Sequence, residues 1–443
     1  MPAAFENPMS APSACPASST AASAPAEPVS TSTDHLARGT PGLRRAQWAL
    51  FAAGFSTFSL LYCVQPLMPL FTRAFGVSPA QSSLVLSLCT GFLALAIFFV
   101  GLFSQAVPRK RAMALSLFAS AVLGTVAAAA PDWHSLLALR ALQGLAMGGV
   151  PALAMAYLAE EVEPGTLGFA MGLYIGGSAF GGLSGRVITG LVSDHYGWRA
   201  ALGTLGLLGI VAAALFVWLL PASRRYAPQR GRGWAGVWGD VHAGAASHLK
   251  NGPLCGLFAL GGLLMGAFVT VYNYVGFRLL LPPFSLSQTF IGFIFVVYLV
   301  GIFASTWFGR LADRHGRGAM LSAATGLALA GLLLTLSNWL PLLIAGIVVF
   351  TFGFFAAHAV ASGWVGQMAR GYKALAASLY LLVYYIGSSV LGSLGGHFWT
   401  TGQWPGVAAM AGALLALALA ISASLYRRTG RAPASAAMGG RPS

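Results

Sequence analysis

The amino-acid sequence predicts an all-α membrane protein with twelve transmembrane helices in two six-helix halves. Hydrophobic residues make up 57% of the 443-residue chain and charged residues only 8%, whereas soluble globular proteins carry roughly 25% charged residues. Apolar runs longer than about 18 residues recur, and each could cross a hydrocarbon core about 30 Å thick. Backbone groups in lipid must bond internally, and these unbroken runs lack the alternation of barrel strands, so we expect helices.

The predicted spans divide the chain into two halves joined by one long loop. We expect an N-terminal six-helix half at 44–220, a cytoplasmic linker at 221–253 and a C-terminal six-helix half at 254–428. Residues 1–43 are mostly Ala, Pro, Ser and Thr, which is typical of a disordered tail, and 429–443 form a second cytoplasmic tail. The twelve spans are 46–71, 80–104, 111–130, 133–158, 165–192, 198–220, 254–280, 288–309, 317–337, 339–367, 373–397 and 404–426.

The Lys and Arg residues indicate which ends of the spans face the cytoplasm. If both termini are cytoplasmic, 20 of the 25 fall on the cytoplasmic side, three on the opposite side and two inside spans. Cytoplasmic loops of membrane proteins carry such an excess of positive charge. The distribution predicts a multi-pass protein of a bacterial inner (plasma) membrane with both termini inside. It explains the net charge of +15 without nucleic acid as a partner, because basic residues at this face meet the lipid bilayer.

The sequence offers no pattern for a metal, a cofactor or an enzyme. No Gly-x-x-x-x-Gly-Lys-Ser/Thr loop for ATP occurs in the chain. The four cysteines lie far apart and show no disulfide or metal spacing. We therefore expect no metal, no cofactor and no catalytic residues. The cysteines are Cys15, Cys63, Cys89 and Cys255.

Two polar runs reveal an internal repeat. GRLADRHGRG begins at Gly309, and a weaker copy, GLFSQAVPRKRA, begins at Gly101, an offset of 208 residues. The same offset carries the start of the first span, near residue 46, to residue 254, where the seventh span begins. Parallel repeats are typical of secondary transporters, whose sites lie near the midplane between the halves. The repeat predicts transport of a small molecule by alternating access. A membrane sensor or scaffold that does not transport is the alternative from another class.

These runs resemble motifs of the major facilitator superfamily. Its loop motif, Gly-x-x-x-Asp-Arg-x-Gly-Arg, matches Gly309, Asp313, Arg314, Gly316 and Arg317. Its fourth-helix pattern, Arg-x-x-Gln-Gly, is similar to RALQGLAMGG in span four. YCVQPLMPLF and YNYVGFRL are similar to the first and seventh helices of the twelve-helix efflux branch, which includes sugar-efflux and drug-antiporter proteins. The resemblance implies efflux with protons as the coupling ion, and we expect a monomer.

The charges of the second loop predict a gating latch. Asp313 lies at a helix end beside Arg314 and Arg317, so the charges can pair or separate as the halves rock between states that differ by a few kcal/mol. In the first copy Gln105 stands where the motif has Asp, so we expect the stronger latch in the second half. The alternative is that loop charges only orient the protein. We favour that interpretation for Arg109, Lys110 and Arg111.

Two cations lie inside predicted spans without an acid beside them. Arg140 is in span four and Arg186 in span five, while none of the ten Asp and Glu residues lies inside a span. Buried charge is costly in lipid, so we expect both to bind an anionic group of the substrate; capping of helix carbonyls is the alternative. GGLSGRVITG resembles the family's antiporter motif, with Arg186 in place of Pro. This departure weakens the case for proton antiport, and the two buried cations make uptake or exchange of an organic anion the second transport hypothesis.

The repeat also pairs two amides. Adding 208 to Gln65 gives Asn273, and the amides stand beside Tyr62 and Tyr272 in spans one and seven. We expect these four residues to bind a polar substrate, and an interhelical hydrogen bond is the alternative. His358 is the one histidine well inside a span. In the absence of a buried carboxylate it is the candidate proton carrier, with simple hydrogen bonding as the alternative.

The linker has its own pattern. Apolar residues recur at three- and four-residue steps, which predicts an amphipathic helix on the inner membrane surface. Basic residues before it favour contact with anionic lipid. The apolar positions are Trp234, Val237, Trp238, Val241, Ala245 and Leu249, and the basic ones are Arg224, Arg225, Arg230 and Arg232.

Overall fold

The computed structural model describes residues 36–102, 108–223, 234–369 and 371–429. Within these ranges the chain is helical apart from turns, short connections and a bridge between Leu36 and Val162. The predicted all-α class is confirmed. The helices are α1 (Pro41–Tyr62), α2 (Met68–Phe75), α3 (Pro79–Ser82), α4 (Leu84–Leu102), α5 (Arg109–Ala127), α6 (Trp133–Met147), α7 (Gly149–Glu161), α8 (Pro164–Leu219), α9 (Trp234–Leu249), α10 (Gly252–Leu280), α11 (Gln288–Ile294), α12 (Tyr298–His315), α13 (Arg317–Leu334), α14 (Leu340–Met368) and α15 (Lys373–Thr429).

The helices account for the twelve predicted spans. Among the described residues, nine helical stretches are long and apolar enough to cross a membrane. Two of these stretches cross twice, because α8 (56 residues) and α15 (57 residues) each turn at a non-helical residue, Gly197 in α8 and Gln403 in α15. With 22 residues, α1 supplies the remaining span. The chain is therefore a polytopic membrane protein of two six-helix halves.

Proline breaks two of the predicted spans. The first span ends as α1 at Tyr62 and resumes as α2 at Met68. Pro66 has no N–H with which to bond the carbonyl of Tyr62, and the N–H of Gln65 donates to that carbonyl instead, at 3.1 Å. The break places Gln65 in a tight turn between two helices. The fourth span is divided into α6 and α7 near Pro151 in the same way.

The two ends of the bundle differ in charge. We call the end that holds Arg109 and Arg317 the basic end, and the end that holds Asp132 and Asp194 the opposite end. At the basic end Arg109 is fully buried, and its Nη2 lies 2.6 Å from Oε1 of Glu160. Arg109 thus joins α5 to α7 by a partly buried ion pair, so it has a structural contact in addition to the orientation signal that we expected of it.

Serine and glutamine side chains join the two halves toward the opposite end. Ser389 and Ser393 of α15 donate hydrogen bonds to the carbonyl and the hydroxyl of Ser87 in α4, both at 2.6 Å. Gln288, the first residue of α11, donates from Nε2 to the carbonyl of Pro66 at 2.9 Å. These contacts hold the halves together at this end in the observed conformation.

The halves meet along two seams toward the opposite end, one between α4 and α15 and a second between α8 and α11. A glycine crossing and a helix cap form the second seam. Gly190 of α8 lies against Gly292 of α11, where a Cβ on Gly190 would be 2.8 Å from the Cα of Gly292. At the end of the same segment, Asp194 Oδ2 accepts hydrogen bonds from the N–H and hydroxyl of Thr289, at 3.3 and 2.6 Å. The carboxylate thus binds the first turn of α11 from the other half of the protein.

Helix α9 lies in the predicted linker and packs on the C-terminal half; its role at the membrane surface stays a prediction. His248 is buried, with Nε2 3.3 Å from the carbonyl of Tyr372. Trp238 and Leu249 are exposed, as an amphipathic surface helix requires. Several predictions fall outside the described residues: the tail up to residue 35, Gln105, residues 430–443, and the linker arginines Arg224, Arg225, Arg230 and Arg232.

Candidate functional site

The candidate site surrounds Arg186, where α8 of the N-terminal half meets α11 and α12 of the other half. The side chain is 1% exposed. Its Nε donates to Oε1 of Gln65 at 2.7 Å, its Nη1 to the carbonyl of Gly182 at 2.5 Å, and its Nη2 to the hydroxyl of Tyr298 at 3.3 Å. A guanidinium has five N–H donors. Among the described residues these three bonds use three donors, so two remain without a protein acceptor.

Aromatic rings enclose the same guanidinium. The Cζ of Arg186 lies 4.3 Å from the ring centre of Tyr62, 4.7 Å from that of Phe295 and 4.6 Å from that of Tyr298. Ring faces attract cations, and they do so more strongly where water is excluded. No Asp or Glu pairs with Arg186 within the described part of the chain. Within the described residues, the cation is therefore stabilised by neutral groups alone.

A hydrogen bond continues from Arg186 through Gln65 to the other half. Nε2 of Gln65 donates to Oδ1 of Asn273 at 2.9 Å, and both amides are buried. The cation fixes the polarity of this chain, because Gln65 must turn its oxygen toward Arg186 and so its nitrogen toward Asn273. Asn273 then presents its oxygen, and its Nδ2 is a buried donor that has no partner in the described structure. Unpaired buried donors are costly, and this one adds to the unused donors of Arg186.

Arg140 has a different environment. Its guanidinium donates to the carbonyls of Val85, Leu60 and Leu61 at 2.8 to 3.0 Å, and to the side chain of Gln143. Gln143 in turn donates to the carbonyl of Ser120 at 2.8 Å. Together the two side chains link α1, α4, α5 and α6. These are the contacts of the carbonyl-capping alternative, whereas those of Arg186 leave donors for a ligand. Substrate binding at Arg140 stays a prediction.

Tyr272 and His358 both lie against phenylalanine rings in the C-terminal half. Tyr272 is buried, its hydroxyl lies 2.6 Å from Oγ1 of Thr351, and its ring stacks on that of Phe295, beside Arg186. His358 is half-buried, with Nδ1 2.9 Å from the hydroxyl of Tyr380 and the ring stacked on that of Phe354. The hydrogen bond is what the simpler alternative for His358 predicts, and proton transfer by this residue stays a prediction.

The sequence interpretation did not single out Gly182, Phe295 or Thr351 as site residues. Phe295 is one of 28 Phe residues, and nothing local separates a ring beside a cation from a ring in the core or in lipid. Gly182 contributes only its backbone carbonyl. The contacts of Phe295 and Thr351 depend on which helices meet, so no signal in a single sequence could have found them. Gly182 lies one turn before Arg186 in α8, and helical spacing is the signal that could have found its carbonyl.

The loop motif lies at the basic end, away from Arg186. Nη2 of Arg317, the first residue of α13, donates to Oδ1 of Asp313 in the last turn of α12 at 2.9 Å. Gly316 has a φ of +89° between α12 and α13, a conformation that favours glycine. A Cβ on Gly309 would meet nothing within 4 Å. Asp313 and Arg317 do pair as predicted, and their role as a latch stays a prediction. Arg314 lies in the last turn of α12, where a basic residue complements the helix dipole.

Two repeated six-helix halves with a buried polar junction between them are typical of secondary membrane transporters. The sequence model of the Major Facilitator Superfamily matches residues 50–284 and 258–441. The chain therefore belongs to the major facilitator superfamily and is a membrane transporter of that type, as its motifs predicted.

Relatives and solved structures agree with this membership. The chain is 45% identical over 393 residues to the MFS-type transporter YybF of Bacillus subtilis (strain 168), covering 89% of this chain and 96% of YybF. It is 42% identical over 400 residues to the inner membrane transport protein YnfM of Escherichia coli (strain K12), covering 90% and 95%. A crystal structure of a bacterial homologue of the human lysosomal transporter Spinster, inward-facing and unoccupied, matches with a TM-score of 0.71 at 15% identity, covering 88% of this chain and 98% of that one.

Proposed function

We propose that this transporter binds a small organic anion at Arg186, carries it by alternating access and exports it from the cytoplasm in exchange for protons. The observation that carries the proposal is the buried Arg186, which has no acidic partner among the described residues. A charge in the membrane interior costs several kcal/mol unless it is compensated. Three hydrogen bonds and three aromatic rings compensate part of this cost. An anionic oxygen would complete the compensation.

The donors at the site support an anion rather than a cation. Arg186 keeps two N–H groups and Asn273 keeps Nδ2, and both residues lie at the junction of the halves. A carboxylate or similar group has the oxygens that such donors need. A cationic drug would be repelled by Arg186 and would find no buried carboxylate beside it in the described structure. The rings of Tyr62, Phe295 and Tyr298 could contact the apolar part of the same molecule.

Export is the direction that the membrane potential favours for an anion. With the inside negative, each negative charge that leaves gains about 2.3 kcal/mol per 100 mV. Proton exchange follows from the resemblance to the efflux branch, and His358 is our candidate proton carrier because it is a titratable ring within α14. Uptake or exchange of an organic anion is the second candidate, since Arg186 would serve it equally well. The inner membrane, with both termini in the cytoplasm, is the setting that this proposal assumes.

A thermal-stability screen of the purified protein tests the anion site. Small organic carboxylates should raise the melting temperature, and Arg186→Gln should weaken this effect. Arg199→Gln is the matched control, because Arg199 is a cation at the opposite end whose Nη2 donates to the carbonyl of Ala130. If only cationic or neutral amphiphiles stabilise the protein, and Arg186→Gln leaves their effect unchanged, the anion proposal fails and hydrophobic drug efflux becomes the better hypothesis.

Flux in proteoliposomes tests coupling and direction. A carboxylate that passes the screen should leave the lumen faster when protons are supplied at the opposite face, and His358→Gln should remove this pH dependence while leaving binding intact. Flux that ignores the proton gradient but requires an anion on the other side would support exchange instead. A protein that binds carboxylates without net movement would contradict the transport proposal.

A further inference from the structure

The side chain of Gln65 lies between the buried cation and the other half of the protein. Its Oε1 accepts from Nε of Arg186 at 2.7 Å, and its Nε2 donates to Oδ1 of Asn273 at 2.9 Å. We propose that Gln65 is a positioning residue that couples anion binding at Arg186 to separation of the halves at the opposite end. This inference rests on the proposed anion site and adds the step that links occupation of the site to the conformational change.

The coupling arises because the anion and the amide oxygen of Gln65 would share one guanidinium. The Nε–H of Arg186 donates to Oε1 of Gln65, and two other N–H groups are unused within the described residues. An anion bound at those groups is a strong acceptor, and its negative charge repels the nearby amide oxygen. Binding of the anion therefore displaces the side chain of Gln65. The bond from Gln65 to Asn273 is lengthened by the same movement, so ligand binding and this contact between the halves oppose each other.

The backbone at Gln65 extends the effect to a second contact. Gln65 lies in the turn between α1 and α2, where bonds such as Leu67 N–H to the carbonyl of Val64 replace regular helix bonds. Such breaks are places where helices bend. The carbonyl of the next residue, Pro66, accepts the bond from Gln288 at the start of α11. Movement of this turn therefore disturbs two bonds between the halves at once.

A change in these contacts is sufficient to shift a balanced equilibrium. One interhelical hydrogen bond in a membrane changes a population ratio about threefold, which corresponds to about 0.6 kcal/mol. In the closed state the halves are also joined by the Ser87 and Asp194 contacts. Loss of the Gln65 bond therefore shifts the equilibrium toward the open state without removing the closed state. A ligand can shift such an equilibrium only through unequal affinity for the two states, and displacement of Gln65 supplies that inequality.

The test measures the opposite end directly in the full-length protein in nanodiscs. Spin labels at Tyr196→Cys and Thr401→Cys, both exposed and on different halves, report the separation in a background without native cysteines. Without ligand, Gln65→Leu and Asn273→Leu should each raise the open-to-closed ratio about threefold. The double variant should rise no further, because both changes remove the same bond. Additive effects of the two changes would overturn the proposed bond as a coupling element.

The second part of the test repeats the distance measurement with ligand present. The probes are benzoate and the other small carboxylates of the stability screen. In the unchanged protein they should increase the open population. In Gln65→Leu the distance should not shift even at carboxylate concentrations that saturate binding, whatever the affinity of that variant. Gln288→Leu is the matched control: it removes a neighbouring bond between the halves, but not the one to Arg186, so the response should persist. A normal distance response in Gln65→Leu would overturn the coupling while leaving the anion site standing. Absence of any carboxylate effect on the unchanged protein, and of any effect of Arg186→Gln, would instead reject the anion site.

Discussion

Gly190 and Gly292, one from each half, cross so closely that a Cβ on Gly190 would lie 2.8 Å from the Cα of Gly292 and 2.9 Å from the carbonyl oxygen of Gln288. The nearest atoms belong to backbone, so they cannot move aside as a flexible side chain would. Small residues at helix crossings allow this approach in membranes. The crossing lies one turn from Arg186, so closure of the seam and the environment of the cation are coupled through one helix.

Replacement of Gly190 should therefore oppose the observed conformation. We expect Gly190→Val to disfavour the closed seam by about 1–3 kcal/mol, the usual cost of overpacking. A cysteine at Ser393, which lies in the other seam between the halves, should then react faster with a reagent added at the opposite end. Gly176→Val is the matched control, because a Cβ on Gly176, earlier in the same helix, meets nothing within 4 Å. Equal labelling of the two variants would contradict the gating role of the crossing.

Arg140 should behave as a structural residue. Arg140→Gln leaves the carbonyls of Leu60, Leu61 and Val85 without their donor, and each unpaired buried group costs about 1–3 kcal/mol. We expect a large fall in melting temperature that carboxylates do not reverse. Arg199→Gln, which removes a half-exposed cation, should change the melting temperature little. An Arg140→Gln protein of normal stability with impaired anion binding would restore Arg140 to the substrate site.

The loop latch gives a comparison between the two halves. Asp313→Asn removes the ion pair with Arg317, so we expect it to lower transport much more than Gln105→Ala, without loss of expression. Exposed pairs contribute only about 0–1 kcal/mol to stability, so the melting temperature should hardly change. The measurement is flux at equal amounts of protein in proteoliposomes. Equal effects of the two variants would mean that the degenerate first loop gates as strongly as the second.

The orientation can be tested by labelling in intact cells. With native cysteines removed, Arg317→Cys at the basic end should react only after the membrane is made permeable, and Arg278→Cys should react from outside. Arg278 lies in the last turn of α10 near the carbonyl of Ser337, at the opposite end of the bundle. Reaction of Arg317→Cys in intact cells would reverse the topology that the basic residues predict.

The sequence alone determined the class of this protein, because the class depends on the length of apolar runs and the spacing of repeats, which can be read along the chain. Apolar length predicts helices that cross a bilayer, and the offset of 208 between polar runs predicts two parallel halves. The same offset paired Gln65 with Asn273 before any contact was known. The motif residues Asp313 and Arg317 are only four positions apart in the chain, so a contact between their charges could be expected from the sequence, although Gly316 separates the two helices that carry them.

Only the tertiary structure distinguished the two buried arginines. In sequence Arg140 and Arg186 are alike, each a lone cation in an apolar span. In space Arg140 faces three carbonyls of its own half, whereas Arg186 faces an amide, aromatic rings and the other half. For Gln65 and Asn273 the structure shows the interhelical hydrogen bond that was the alternative interpretation, and substrate binding by these amides stays a prediction. Composition and spacing fix which residues enter the membrane, but the energy of a buried charge depends on the atoms within a few ångströms, and helices distant in sequence supply those atoms.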